Sequence, residues 1–442
     1  MDDYRRLADQ LAHDIAEGRL RPGERLPPQR QFARRRGIAG STAGRVYAEL
    51  VRRGLVVGEV GRGTFVRAAE TGPDARSLIE RATPAPVNME LNYPVAPGQS
   101  ELLAPVLAPL LRPDVLAEAL LPAAADGTAP AREAVAALLA TPGWRPAPER
   151  VLFTGNARQA IAATLASLVR PGGRIGIEAL TYPLVKEIAA RLGATLVPLP
   201  DLSAASVAAA HRRAPLAALY LQPTLHNPTS ATMDEDRRAR LALVVGDLGV
   251  PVVEDRIWAF LDPGAPDPLA AHAPGLTYVV DSLSKRVAPG LTAGFAVVPR
   301  GRGEAVAAAI RSGGWSAGRF ALEAAVRWVA DGTVARLVAA KRADAARRQR
   351  LVAQALGGFA VRAHPHGYFA WWELPAPWRA DPFAAAAAGL GIAVTPGPAF
   401  VVDPKRTPDA VRLGLASAAV PDLERALGTL AALARSGPAA RR

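Results

Sequence analysis

Five short apolar runs fix what most of this chain can become: RVLFTG (150–155), RIGIEA (174–179), LAALYLQP (216–223), PVVEDR (251–256) and TYVVDS (277–282). Each is too short for a stable helix. Each is apolar nearly throughout rather than alternating, as a strand must be when both its faces are covered. Long Ala- and Leu-rich stretches of helical character separate them. The pattern predicts an α/β unit with a mostly parallel sheet and helices on both faces, spanning residues 87–436. No internal repeat interrupts it. At 442 residues the chain exceeds one ordinary domain, so a second compact unit is expected.

That second unit is legible at the front. YRRLADQLAHDIAEG places Leu7, Leu11 and Ile15 on one helical stripe, with Gly18 as a natural stop. Pro27 and Pro28 open a short helix that Gly37 ends. STAGRVYAELVRRG begins with Ser41 and Thr42 as cap candidates and turns Val46, Leu50 and Val51 inward. LVVGEVGRGTFVR then alternates around a Gly-Arg-Gly tip, as a hairpin does. Three helices and a hairpin over residues 1–67 make a winged helix-turn-helix. Residues 68–86 are small, polar and Pro-punctuated and read as a linker, with one helical turn in DARSLIER. The closing RSGPAARR is expected to fray.

Charge supports this division. The net charge is +13, and residues 1–67 alone carry fourteen arginines against eight acidic residues. A basic front segment suits a polyanionic partner. The chain has no cysteine, which excludes disulfides and thiolate metal sites, and no metal site is expected. Its start is charged without an apolar leader, and no run is long enough to span a bilayer, so a cytoplasmic location is expected.

Lysine is scarce: four of the 53 basic residues. One of them, Lys285, stands in DSLSKRVAPGLTAG between two serines and a Pro-Gly turn. A lysine can lose its proton and attack a carbonyl, which arginine cannot. Other polar groups fall at the ends of the apolar runs, where open α/β sheets bind ligands. FTGNARQA turns from strand to helix, so the backbone at Asn156, Ala157 and Arg158 could cradle a phosphate. Tyr182 offers an aromatic face, Asn227 sits in a Pro-flanked loop, and Glu254 and Asp255 end a strand. Arg412 interrupts the apolar AVRLGLAS.

Two resemblances follow from these motifs. GRLRPGERLPPQRQFARRRGI with VYAELVRRGLVVGEVGRGTFV resembles the DNA-binding domain of GntR-family regulators. That resemblance implies a second helix beginning near Arg30, Thr42 and Arg45 on the recognition helix, and a wing tipped by Gly61 and Arg62, with double-stranded DNA as partner. Where the family has a Ser-Arg pair this chain has Ala39 and Gly40. The order of the later motifs, with HNPTS, SLSKRVAPGLTAG, PHGYFAWWEL and TPGPAF, resembles the fold-type I aminotransferases that use pyridoxal 5′-phosphate (PLP). The whole is similar to MocR-type regulators.

The second resemblance implies a large, mostly parallel sheet domain followed by a small α+β domain. It implies that Lys285 forms an imine with PLP, Asp255 faces the pyridine nitrogen, Asn227 donates to the 3′-oxygen and Tyr182 stacks on the ring. Ser282, Ser284 and the turn at Asn156–Arg158 would hold the phosphate, and Arg412 an amino-acid carboxylate. A homodimer is implied as well, with each DNA-binding domain on its partner's large domain. Several positions depart from the pattern. Thr292 replaces an arginine on the phosphate, Asn156 the glycine of the phosphate turn (though asparagine still tolerates left-handed backbone), Arg158 a neutral glutamine and Trp258 a tyrosine; no tyrosine lies between Pro113 and Ala131. The expected function is a PLP-dependent transcription regulator sensing PLP or an amino compound. The alternative is a working aminotransferase with an appended DNA-binding domain.

Overall fold

The computed structural model describes residues 3–16, 19–20, 23–59, 63–66 and 85–438. Gly18, Gly61, Arg62, the DARSLIER segment and nearly all of the expected linker lie outside the described residues.

The front unit is built from helices Asp3–Ala16, Gln29–Arg36 and Gly40–Arg52 and the antiparallel pair Val56–Glu59 and Gly63–Val66. Ala8, Leu11, Ile15, Phe32, Val46, Tyr47 and Leu50 close one small core. Gly37 ends the second helix in left-handed backbone at φ 63°, which a residue without Cβ adopts at little cost. Two expectations fail here. The third helix starts one residue before Ser41, with Ala39 at its cap and no side chain capping it. Val51 is 48% exposed. The inward position belongs to Tyr47, whose hydroxyl donates to the Pro27 carbonyl at 2.6 Å. That bond lets the aromatic ring fill the core while its polar tip is satisfied.

The central domain is a seven-stranded sheet in the order 151–154, 294–297, 277–282, 252–255, 218–221, 174–178, 195–199. All strands run parallel except 294–297, which is antiparallel to both neighbours. Val151 and Phe153 enter one core, while Leu152 enters the core on the opposite face. Burial on both faces is why these strands lack alternation. The five apolar runs are all strands. The sheet also contains Thr195–Leu199, whose Pro198 reads as a breaker, and Gly294–Val297, which hides between a Gly-rich and a Pro-ended stretch.

Helix Thr333–Ala355 leads into a small domain. Its four-stranded antiparallel sheet has the order 360–363, 369–373, 410–414, 395–396. Val87–Asn88 pairs in parallel with Ile392–Ala393, tying that segment to this domain. The C-terminal helix continues to Ser436, past the point where fraying was expected, because Leu423, Leu427 and Leu430 bury its inner face.

The front unit meets the small domain of its own chain. A side chain at Gly23 would meet Pro382 at 2.7 Å, and the Arg379 guanidinium lies 4.4 Å from the Phe65 ring centroid.

Candidate functional site

The carboxyl ends of the central strands open on a single pocket, the place that a parallel sheet leaves for ligands. Lys285, Asp255, Asn227, Tyr182, Asn156, Ala157, Arg158, Ser282, Ser284 and Arg412 all line it. Every pocket residue expected from the sequence is therefore brought together.

Strand 252–255 delivers Asp255 and sends Glu254 the other way, into a buried cluster with Arg238 and Arg256. Asp255 Oδ2 accepts from the Tyr220 hydroxyl and from Gln222 Nε2, both at 2.7 Å; Oδ1 accepts from the Ile257 amide. Tyr220 is two residues before Gln222, so the end of a single strand holds the carboxylate from two points. Burial pushes the Asp255 carboxyl up to about 6, against the pull of those three donors. Gln222 also accepts from the Asn227 amide through Oε1, tying the Asn-Pro loop to the same group. Beside it, burial raises the Glu178 carboxyl to about 8 and lowers His226 to about 4, leaving that neighbourhood close to neutral at pH 7.

Lys285 sits on a one-turn helix, Leu283–Arg286, capped by the Ser282 hydroxyl. Its ammonium donates to the Asn92 carbonyl at 2.7 Å and lies 4.3 Å from the Tyr93 ring centroid and 5.2 Å from that of Trp258. Desolvation lowers its pKa to about 7, helped by the positive charges of Arg412, Arg158 and Lys341. Such a lysine is substantially neutral at physiological pH, as attack on a carbonyl requires.

The turn after strand 151–154 forms the opposite wall. Asn156 is extended at φ −166°, so its tolerance of left-handed backbone is not called on. Its side chain instead caps helix Ala157–Leu168 by accepting from the Gln159 amide. Caps of this kind are worth about 1 kcal/mol. Gly294 makes this turn possible: a Cβ there would lie 2.2 Å from the Asn156 carbonyl carbon. Ser282, Ser284 and Thr292 form a hydroxyl chain, at 3.0 and 3.1 Å. Arg286 is buried and bonded to Asp281 at 2.7 Å, which takes it out of the pocket. Arg158 faces the pocket without an ion-pair partner among the described residues.

Arg412 is 6% exposed on strand 410–414. It donates to the Glu90 carbonyl, to Thr395 Oγ1 and, at 3.5 Å, to Asn227 Oδ1, while its Nε has no partner. Burial lowers its pKa to about 10, so it stays charged. The segment Glu90–Tyr93 touches both Arg412 and Lys285. Sequence reasoning missed it, because its contacts are made mainly by backbone carbonyls.

In the front unit, Arg30 and Arg45 are exposed and Thr42 is partly covered. The Arg45 guanidinium lies 4.1 Å from the Tyr4 ring centroid. Arg34, Arg35 and Arg36 are also exposed, just before the turn that leads to the third helix. The run ARRRG was the signal for them. Gly61 and Arg62 lie outside the described residues. No helix among these residues is long and apolar enough to cross a membrane, and no cluster of potential metal ligands occurs among them.

A winged helix followed by an aminotransferase-like fold defines a class of transcription regulator, and the comparisons agree. Residues 3–66 match the family described as "Bacterial regulatory proteins, gntR family". The uncharacterized HTH-type transcriptional regulator YdeF of Bacillus subtilis (strain 168) is 30% identical over 420 residues, covering 93% of this chain and 90% of that relative. The HTH-type pyridoxine biosynthesis transcriptional regulator PdxR of Corynebacterium glutamicum is 25% identical, covering 79% of this chain and 78% of its own length. Among solved structures, LysN, an alpha-aminoadipate aminotransferase from Thermus thermophilus, superposes with a TM-score of 0.71 at 24% identity, over 82% of this chain and 94% of its own. The chain belongs to the MocR-type HTH transcriptional regulators.

Proposed function

We propose that this regulator binds PLP at Lys285 and senses an amino acid whose carboxylate is taken by Arg412. One observation carries the reading: a lysine with its pKa lowered to about 7, a carboxylate held by three donors and an arginine with an unpartnered buried Nε share one pocket. The donor set fits the cofactor. When bound, PLP would supply an electrophilic carbonyl and an electron sink. Asp255 would hold a proton on the ring nitrogen, Asn227 would orient the ring oxygen, and Tyr182 would cover one face. Asn156, Ala157, Ser282 and Ser284 would bond the phosphate, and Arg158 would supply the positive charge that Thr292 cannot. The two N–H edges of Arg412 suit a bidentate carboxylate. Trp258 keeps the aromatic wall but has no hydroxyl to give, which suits sensing better than turnover.

Arg30, Thr42, Arg45 and the wing residues Gly61 and Arg62 would meet operator DNA in the cytoplasm. A second copy of the chain would cover Val95, Leu111, Leu120 and Leu121, which are 49–71% exposed. Incubating the full-length protein with PLP, reducing with borohydride and mapping the modified peptide tests the reading. A single adduct on Lys285 supports it, and no adduct there refutes it.

A further inference from the structure

Lys285 has a second lysine beneath it. Lys341 is 0% exposed on helix Thr333–Ala355, and its ammonium donates to the carbonyls of Lys285 at 3.0 Å and Val287 at 2.7 Å. Those carbonyls belong to the end of the one-turn helix that carries Lys285, where acceptors lack intrahelical partners and the helix dipole is negative. No carboxylate pairs with Lys341 among the described residues. In a chain with four lysines among 53 basic residues, lysine at this position is informative. A compact ammonium can serve two converging carbonyls, whereas a guanidinium would bury further N–H groups with nothing to accept them. The same helix is tied to the small domain. Tyr368 donates to the Lys341 carbonyl at 2.8 Å, and Arg348 donates to the carbonyls of Leu415 and Ala418.

We propose that Lys341 is a positioning residue for Lys285, gripping the turn that aims its amine and placing a second buried cation behind it. The proposal rests on the reading of Lys285 as the cofactor lysine. Burial lowers the Lys341 pKa to about 7, and its two carbonyl acceptors favour keeping its proton over that of Lys285, which has one. The charges facing Lys285 are then those of Lys341, Arg412 and Arg158, with Asp255 and the phenols of Tyr93 and Tyr182 in the same pocket. Removing one of three like charges lets Lys285 hold its proton to higher pH.

The test is trace acetylation of the full-length protein across pH, before PLP is added, with Lys285 read by peptide mass spectrometry against exposed Lys405. Lys341→Gln keeps a donor and drops the charge; Lys341→Met drops both. Near neutral pH, labelling of Lys285 is expected to fall about twofold in the Gln and Met variants. PLP trapping should follow the same order. If Met fails to fold, Gln decides. Unchanged Lys285 labelling in Lys341→Gln, or a lowered Tm with no change in labelling, overturns the proposal. Failure of the parent chain to trap PLP at Lys285 would instead overturn the cofactor reading and leave the labelling comparison standing.

Discussion

Tyr220 and Asp255 are neighbours on adjacent parallel strands, and the tyrosine hydroxyl donates to the carboxylate at 2.7 Å. The donor opposes the burial that raises Asp255 to about 6. Tyr220→Phe therefore moves Asp255 further up and leaves it more often protonated at neutral pH, unable to balance a ring cation. A hydrogen bond to a charged group is worth about 1.5–3 kcal/mol, so PLP affinity at neutral pH should fall about tenfold. Titration of cofactor fluorescence measures it, and an unchanged Kd would remove Tyr220 from this role.

Arg158 is expected to carry the phosphate. Arg158→Gln restores the side chain usual at that position in the aminotransferases the chain resembles, yet here it should weaken PLP binding about tenfold or more, because Thr292 offers no charge and Arg286 is committed to Asp281. Equal affinity in the variant would mean that the phosphate is held elsewhere.

Lys285 makes stability depend on pH. Unfolded, a lysine keeps its proton to about 10.5; folded, this one releases it near 7. Between those values the unfolded chain binds more protons, so native stability rises with pH, and the destabilisation is full below about pH 7. Lys285→Met removes that slope. Without PLP, its Tm should exceed the parent's by a few degrees at about pH 6, and the gain should shrink toward about pH 10. A gain that is flat or grows with pH would contradict the buried-amine account.

For DNA, Arg45→Ala should weaken operator binding and lower the slope of log K against log salt by about one, the loss of a single phosphate contact. Tyr4→Leu removes only the ring beneath Arg45 and should weaken binding less while leaving the slope intact. Equal slopes in the parent and Arg45→Ala would place Arg45 off the DNA.

Legibility followed chemistry. Asp255, Lys285 and Asn227 could be read because each sits in a short motif where side-chain identity matters. The Glu90–Tyr93 strap could not, since a carbonyl has no sequence signature, and Lys341 was invisible because its partners lie more than fifty residues away. Strands read well where both faces are buried. They were missed where Pro198 or Gly294 masked the pattern. Cap assignment at Ser41 failed for a local reason: residue 39 has the extended backbone of a cap, whatever its side chain.

The seat of the front unit on Pro382 and Arg379 bears on how this protein can be taken apart. Cutting between the front unit and the rest yields no clean pair of modules. The released C-terminal piece bares Pro382 and Arg379, and the released N-terminal piece bares Gly23 and Phe65. Each fragment acquires a surface that the intact chain keeps turned toward itself.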